Sequence, residues 1–540
     1  MAAPGMEEKM KSLKRSMPSA EGIDAGGIYE FLEFVDQHVK MNSVMIVKNG
    51  RVVAEGWWGP YAPEKTHALF SASKTYTGLA VGFACQDGLL DVHDKVAAFF
   101  PEKARFGLSE NMAAMEVEHL LTMTTGLRED PHDFVFRKDD DWVYRFLRLY
   151  VPDRPGERFV YSTHASYMLA AIVQRVTGRT VFDYLNEKLF QPLGYSDQTW
   201  WETCPRGVNT GGWGLYVTTE DYAKLGVFLL NRGAWEGRQL LNAAWVDRAT
   251  SKLTDSYPPE INAHESYGYG YQIWRGERNS FRVSGGYGQY CCVYPQENLV
   301  VATTAGEFQC NDSILDAVER FLLPACGRCN EDCADMQEQL KESAARLHIE
   351  TPIVGEKSVG PAIQYSGVRY LLSPSHLDYR WIRLSFGEEA DRAEFGYFDR
   401  SFSVPVGHGE WLPGETCVDD SETDTDVSVV YRNVSCAGGW VDKDCYELKM
   451  CFDRTPYVDT WRIYFRGGTI VADYRRSEFF PGQSMDVTLY GVAESAARDC
   501  VVRPVYHIHY GFQNRHFGKP LDWRNDKEAN GQAESGAEER

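Results

Sequence analysis

Within LFSASKTYTG (69–78), Ser71 and Lys74 stand three residues apart. On a helix that spacing puts both side chains on one face. A serine hydroxyl attacks a carbonyl only after a base removes its proton. A lysine can be that base when burial or a cationic neighbour lowers its pKa. Leu69, Phe70 and Leu79 supply apolar surroundings. The plain alternative makes Ser71 a helix N-cap and Lys74 a solvated charge. A second group sits in PGERFVYST (155–163), where Tyr161 and Thr163 precede an apolar helix read over 165–177. A phenol beside an ammonium can have its pKa depressed and shuttle protons. Otherwise Tyr161 is a core tyrosine and Thr163 a helix cap. A third group is FRVSGGYGQY (281–290), read as a strand carrying Gly285, Gly286 and Gly288. Glycine inside a strand marks close approach to the backbone. Substrate lying along that edge would find N–H groups able to hold an oxyanion. A β-bulge or a packed crossing is the alternative.

Several elements must position these groups. SVMIVKNGRVVAEGW (43–57) reads as a hairpin, with Asn49-Gly50 as its turn between β-branched runs. The apolar stretch 71–86 reads as a helix ending at Asp87-Gly88, and 165–177 as another closed by Gly178. Residues 267–305 read as three consecutive strands, with turns near Gly276 and at Pro295 to Asn298. Strands, then helices, then strands describe an α+β unit: an antiparallel sheet fed from both ends of residues 23–325, with a helical cluster between. Residues 1–22 are polar and read as a flexible N-terminus. Residues 326–360 read as a linker with a short helix. Residues 361–515 alternate like antiparallel β structure, a sandwich or small barrel. CYELKMCF (445–452) there places Tyr446, Leu448, Met450 and Phe452 on one face, and Gly467-Gly468 turns a hairpin over 459–474. Residues 516–540 read as a disordered tail.

Composition narrows the function classes. The 540 residues carry a formal net charge of -21, with 43% hydrophobic and 25% charged residues. Such a surface repels phosphate backbones and anionic membrane, so neither nucleic acid nor membrane is expected as a partner. The N-terminus lacks a signal-peptide apolar core, which makes cytoplasm the default compartment. Thirteen cysteines, mostly scattered, fit a reducing environment better than a disulfide framework. Cys326, Cys329 and Cys333 have metal-like spacing, but no fourth ligand is evident nearby, so a plain linker is the reading. The acidic run Asp419 to Asp426 reads as a solvated loop rather than a calcium site. Trp57, Trp58, Trp200, Trp201 and Trp213 fit a pocket lining or core filler equally. No cofactor is expected.

The order and spacing of S-x-x-K, Y-x-T and a glycine-rich strand near residue 285 resemble the serine β-lactamase and penicillin-binding protein superfamily. The resemblance spans about residues 25–325, and is strongest to the class C β-lactamase branch with its family VIII esterase and 6-aminohexanoate-dimer hydrolase relatives. HALFSASKTYTGLAVGFACQDGLLDVHDKVAAFFPE (67–102), HLLTMTTGL (119–127), the run 155–194 and GGWGLYVTTEDYAKLGVFLLNRG (211–233) carry it. The resemblance implies a β-lactamase-like fold, Ser71 as acyl-enzyme nucleophile, Lys74 as its base partner and Tyr161 as proton shuttle. It also implies an oxyanion hole from the Ser71 N–H and an N–H near Gly286 or Tyr287. Two departures stand out. Thr163 replaces the more usual Asn, and Val283-Ser284-Gly285 or Ser284-Gly285-Gly286 lacks the Lys or His that usually opens the third motif. That cation helps hold a substrate carboxylate, and Arg282 could replace it only if the pleat aims it inward. The expectation is therefore an esterase- or amidase-like serine hydrolase acting on a small ester, amide or short peptide. β-Lactamase, D-aminopeptidase or D,D-peptidase activity, transacylation, and a non-catalytic binding role are the alternatives.

Overall fold

The computed structural model describes residues 12–105, 107–130, 141–306, 311–328, 333–352, 363–418, 432–477 and 486–497. Its first sheet has six antiparallel strands: β1 (Met41–Lys48), β2 (Arg51–Trp57), β3 (Trp274–Arg275), β4 (Phe281–Gly285), β5 (Gln289–Tyr294) and β6 (Leu299–Ala305), in the order β2-β1-β6-β5-β4-β3. Chain from both ends of the unit thus meets at its middle, where β1 pairs β6 with Met45 opposite Ala302. Strand β1 is buried along its whole length because both faces are covered. Met45 and Val47 enter a core shared with helices α2 (Ser73–Gln86), α3 (Thr163–Thr177) and α4 (Thr219–Leu230). Val44 and Ile46 face α1 (Ala25–His38) on the other side. This is the β-lactamase-like α+β arrangement expected.

Four readings of the chain need correction. The segment 267–305 forms four strands, because Gly286–Gly288 makes a tight turn and folds β5 back on β4, pairing Gln289 with Gly285. Residues 12–22 are docked: Val52 N donates to Lys14 O at 2.9 Å, and Arg15 pairs with Glu55 at 2.7 Å and Glu220 at 2.9 Å. The helix in the expected linker, α5 (Cys333–Arg346), packs on α1, and its Leu340, with Leu347 just past its end, is buried in the same core as Ile28 and Phe31. Its polar composition hides that narrow stripe. Helix α3 opens at Thr163 rather than 165, and its cap is Ser162, whose Oγ accepts from Ala165 N at 3.3 Å. The expected tail 516–540 lies outside the described residues. So do Asp419 to Asp426, residues 1–11, Cys329, the side chain of Cys333 and residues 498–515.

Among the described residues beyond α5 lie ten strands: β7 (Arg369–Leu372), β8 (Trp381–Ser385), β9 (Ala390–Gly396), β10 (Ser401–Gly407), β11 (Leu412–Glu415), β12 (Asn433–Asp442), β13 (Cys445–Cys451), β14 (Val458–Arg466), β15 (Thr469–Arg476) and β16 (Val487–Ala493). They run β10-β9-β8-β7-β16-β15-β14-β13-β12-β11, and β10 also touches β12 where Gly407 meets Ala437, so the sheet is barrel-like. Tyr446, Leu448, Met450 and Phe452 share its core, as the period-two pattern predicts. Near one end Arg476 and Asp459 form a buried pair at 2.8 Å, with side chains 4% and 1% exposed. Asp459→Ala would leave the guanidinium buried without its carboxylate. The expected cost is about 3–5 kcal/mol, read as a lower urea midpoint at unchanged slope.

Candidate active site

The chain enters α2 through a single 3-10 turn, Phe70–Ala72, so the helix has no side-chain cap. Ser73, not Ser71, is drawn into local bonding, donating from Oγ to Phe70 O at 2.7 Å. The Ser71 hydroxyl therefore stays available, half-buried at the surface of the unit. Lys74 lies one turn on and is 1% exposed. Its Nζ is 3.1 Å from Ser71 Oγ, 3.3 Å from Thr163 Oγ1 and 2.8 Å from Gly212 O. A neutral amine has two N–H donors and one lone pair. The carbonyl of Gly212 can only accept, and the Thr163 hydroxyl can accept the second N–H. The lone pair is then left to face the Ser71 proton.

Electrostatics favour that neutral form. Burial pulls the Lys74 ammonium down to about 7, and Asp130 offsets this only in part. Asp130 is set at the start of α3. It accepts from Ser162 Oγ at 2.9 Å, Thr163 N at 2.9 Å and His164 Nδ1 at 2.6 Å. Burial alone would raise this carboxyl, but the bonds from His164, Thr163 and Ser162 hold it below its ordinary value. One carboxylate thus fixes the Ser162–His164 segment and adds its field at Lys74.

The Tyr161 ring lies 5.0 Å from Lys74 Nζ, and the Ser71 hydroxyl is close enough to act on its phenol. Its phenol is pushed up, not down: burial dominates, and the Ser71 hydroxyl only moderates it. The expected depression by a lysine ammonium fails because the phenol's own burial outweighs it. Trp274 stacks on Tyr161 at 5.6 Å, and Phe159 and Tyr257 extend the same aromatic wall.

The third motif approaches through backbone. A Cβ on Gly285 would lie 2.1 Å from Leu69 O and 3.0 Å from Ala72 N, so only glycine lets β4 end against the turn that carries Ser71. Gly286 opens the tight turn that follows, and Tyr287 takes φ 67 within it. The Tyr287 side chain is 1% exposed and faces Phe70, so it offers no side chain to a cleft. Ser284 is half-buried opposite Tyr290 and has no bond to Ser71, Lys74 or Tyr161. Arg282 does not serve as the missing cation: its Nη1 donates to His264 O at 2.8 Å, and it is 5% exposed. Of the tryptophans, Trp213 follows Gly212 and stacks on Trp142 at 6.1 Å, while Trp58 and Trp201 are core.

Two residues escaped sequence reasoning. Asp130 lies three positions past HLLTMTTGL, and nothing local marks it. Gly212 was visible only as part of a glycine-rich turn. A Cβ there would sit 2.7 Å from Thr163 Cγ2 and 3.4 Å from Lys74 Nζ. Among the described residues no group of three His, Cys, Asp or Glu could hold a metal ion, and no helix is long and apolar enough to cross a membrane.

This chain belongs to the Beta-lactamase family, whose model matches residues 30–313, and it is thereby a member of a hydrolase family. Among its relatives, the 6-aminohexanoate-dimer hydrolase of Paenarthrobacter ureafaciens is 24% identical over 280 residues, 48% of this chain and 71% of that protein. An uncharacterized protein of Alkalihalophilus pseudofirmus is 25% identical over 301 residues, 49% of this chain and 84% of the relative. Among solved structures, a penicillin-binding protein homologue from Caulobacter crescentus is 20% identical, covering 55% of this chain and 97% of that one, with a TM-score of 0.45.

Proposed function

We propose that this chain is a serine hydrolase that cleaves a small ester, amide or short peptide through an acyl-enzyme. The observation that carries the reading is the 3.1 Å approach of Lys74 Nζ to Ser71 Oγ, with the amine's other contacts assigned to acceptors. Ser71 Oγ attacks the substrate carbonyl carbon while Lys74 takes the hydroxyl proton. The tetrahedral oxyanion forms beside the Ser71 N–H and the Gly286–Tyr287 backbone. The proton passes through the Tyr161 phenol to the leaving alcohol or amine as its bond to the carbonyl carbon breaks. Water then adds to the acyl carbon, and the same groups in reverse return Ser71 to its hydroxyl form. A high phenol pKa suits a relay that accepts and gives a proton without resting as phenolate. The absence of a cation from 283–286, with Arg282 engaged at His264, favours substrates lacking a carboxylate at that place.

A panel of p-nitrophenyl esters, D- and L-aminoacyl anilides and nitrocefin tests this reading. Ester or anilide turnover above nitrocefin turnover is expected. Nitrocefin as the preferred substrate would contradict the substrate class, and inertness to the whole panel would contradict the hydrolase. Asp130→Asn supplies a second test. It removes negative charge near Lys74, which lowers the lysine pKa further, so the acid limb of kcat/KM should move to lower pH. A limb that stays in place would separate Asp130 from Lys74.

A further inference from the structure

The turn between β13 and β14, residues 452–457, reaches out of the barrel-like sheet and lies against the approach to Ser71. Arg454 O accepts from Ala68 N at 2.9 Å, Thr455 O accepts from Tyr61 Oη at 2.7 Å, and Asp453 pairs with Lys65 at 2.5 Å. At its end Tyr457 donates from Oη to Tyr287 Oη at 3.3 Å. The rings of Phe70, Tyr287 and Tyr457 form a triangle with centroid separations of 5.0, 5.7 and 6.5 Å. Phe70 has φ 48 and Tyr287 has φ 67, a region that non-glycine residues avoid. Such a backbone persists only where surroundings over-determine it. Phe70 immediately precedes Ser71, and Tyr287 belongs to the backbone assigned to the oxyanion. One aromatic ring from the second unit therefore rests on both strained residues flanking the reacting carbonyl.

We infer that Tyr457 is a positioning residue: it wedges Phe70 and Tyr287 into their left-handed conformations and so holds the Ser71 turn and the 286–287 backbone at catalytic spacing. The inference rests on Ser71 being the nucleophile. On this account the second unit completes the active site from behind, and its turn needs no contact with substrate. Tyr457 is buried, with Arg476 against its outer side at 5.4 Å, so the wedge is braced by the barrel.

The full chain tests this with Tyr457→Ala, Tyr457→Phe and the double glycine variant Phe70→Gly/Tyr287→Gly, read as kcat, KM and the rate of fluorophosphonate labelling of Ser71. Tyr457→Ala should lower kcat and the labelling rate about 30-fold with KM within about threefold, since spacing and not substrate contact is lost. Tyr457→Phe keeps the ring and should restore activity to within about threefold of wild type. Glycine adopts a positive φ freely, so in a background carrying both Phe70→Gly and Tyr287→Gly, Tyr457→Ala should cost less than about threefold. Should Tyr457→Ala fail to fold, Tyr457→Leu carries the same comparison. Equal losses in both backgrounds, a matched rise in KM, or unchanged labelling in Tyr457→Ala would overturn the inference. If wild-type Ser71 is itself unlabelled, the nucleophile reading fails and takes this inference with it.

Discussion

Ser71→Ala is expected to cut turnover of the best ester or amide by about 10⁴–10⁶-fold, leaving the folded protein intact. The size follows from chemistry. Without the hydroxyl no acyl-enzyme forms, and what remains is binding and oxyanion stabilisation for direct attack by water. The structural cost should be small, within about 1 kcal/mol, because Ser71 is half-buried and its neighbours keep other partners: Lys74 still bonds Gly212 O and Thr163 Oγ1. Initial rates and a urea titration on the same preparation separate the two effects. Turnover within tenfold of wild type would remove Ser71 from the chemistry.

Lys74→Met should lower kcat by about 10²–10⁴-fold and change how stability responds to pH. The unfolded lysine keeps its proton up to its ordinary 10.5, whereas burial holds the folded one near 7. Between those values the unfolded state binds more protons, so wild-type stability rises with pH across the window and is lowest below pH 7. At roughly 1.4 kcal/mol per pKa unit the span is of the order of several kcal/mol. Methionine fills a similar volume without titrating, so the variant should lose this slope between pH 7 and 10. Its stability relative to wild type should be most favourable at pH 6 and least favourable at pH 10. The same titration predicts that wild-type kcat/KM climbs with pH through about 7, where the amine becomes able to accept the Ser71 proton. Urea denaturation at pH 6.5 and 9.5, with a pH–rate profile, checks both. Parallel stability curves for the two proteins would mean that Lys74 is charged in the fold.

Where local chemistry decides structure, the chain was readable. Asn49-Gly50 made the β1–β2 hairpin turn, Gly178 closed α3 in the left-handed conformation, and alternation placed Tyr446 to Phe452 in the second core. Ser71, Lys74, Tyr161 and Thr163 were all named from spacing and resemblance, and the structure brings them together. What escaped was set by contacts distant in sequence. Asp130 reaches Ser162 and His164 from 32 and 34 residues away. Gly212 meets Lys74 across 138 residues, through a carbonyl that any residue type carries. The turn at 286–288 looked like strand because apolar and small residues alternate straight through it. The sign of the Tyr161 shift is not legible in sequence because it is set by how deeply the fold buries the phenol. The polar α5 and the polar N-terminus looked unattached, yet each is anchored by a few specific contacts that composition does not register.

The most direct test of the account is where a covalent adduct forms. Wild-type protein treated with a fluorophosphonate at pH 8, digested and sequenced by mass spectrometry, should carry one phosphonyl group on the peptide containing Ser71. Lys74→Met should acquire it at least about 100-fold more slowly, and Ser71→Ala should acquire none. An adduct on another serine, or equal labelling of wild type and Ser71→Ala in folded protein, would contradict it.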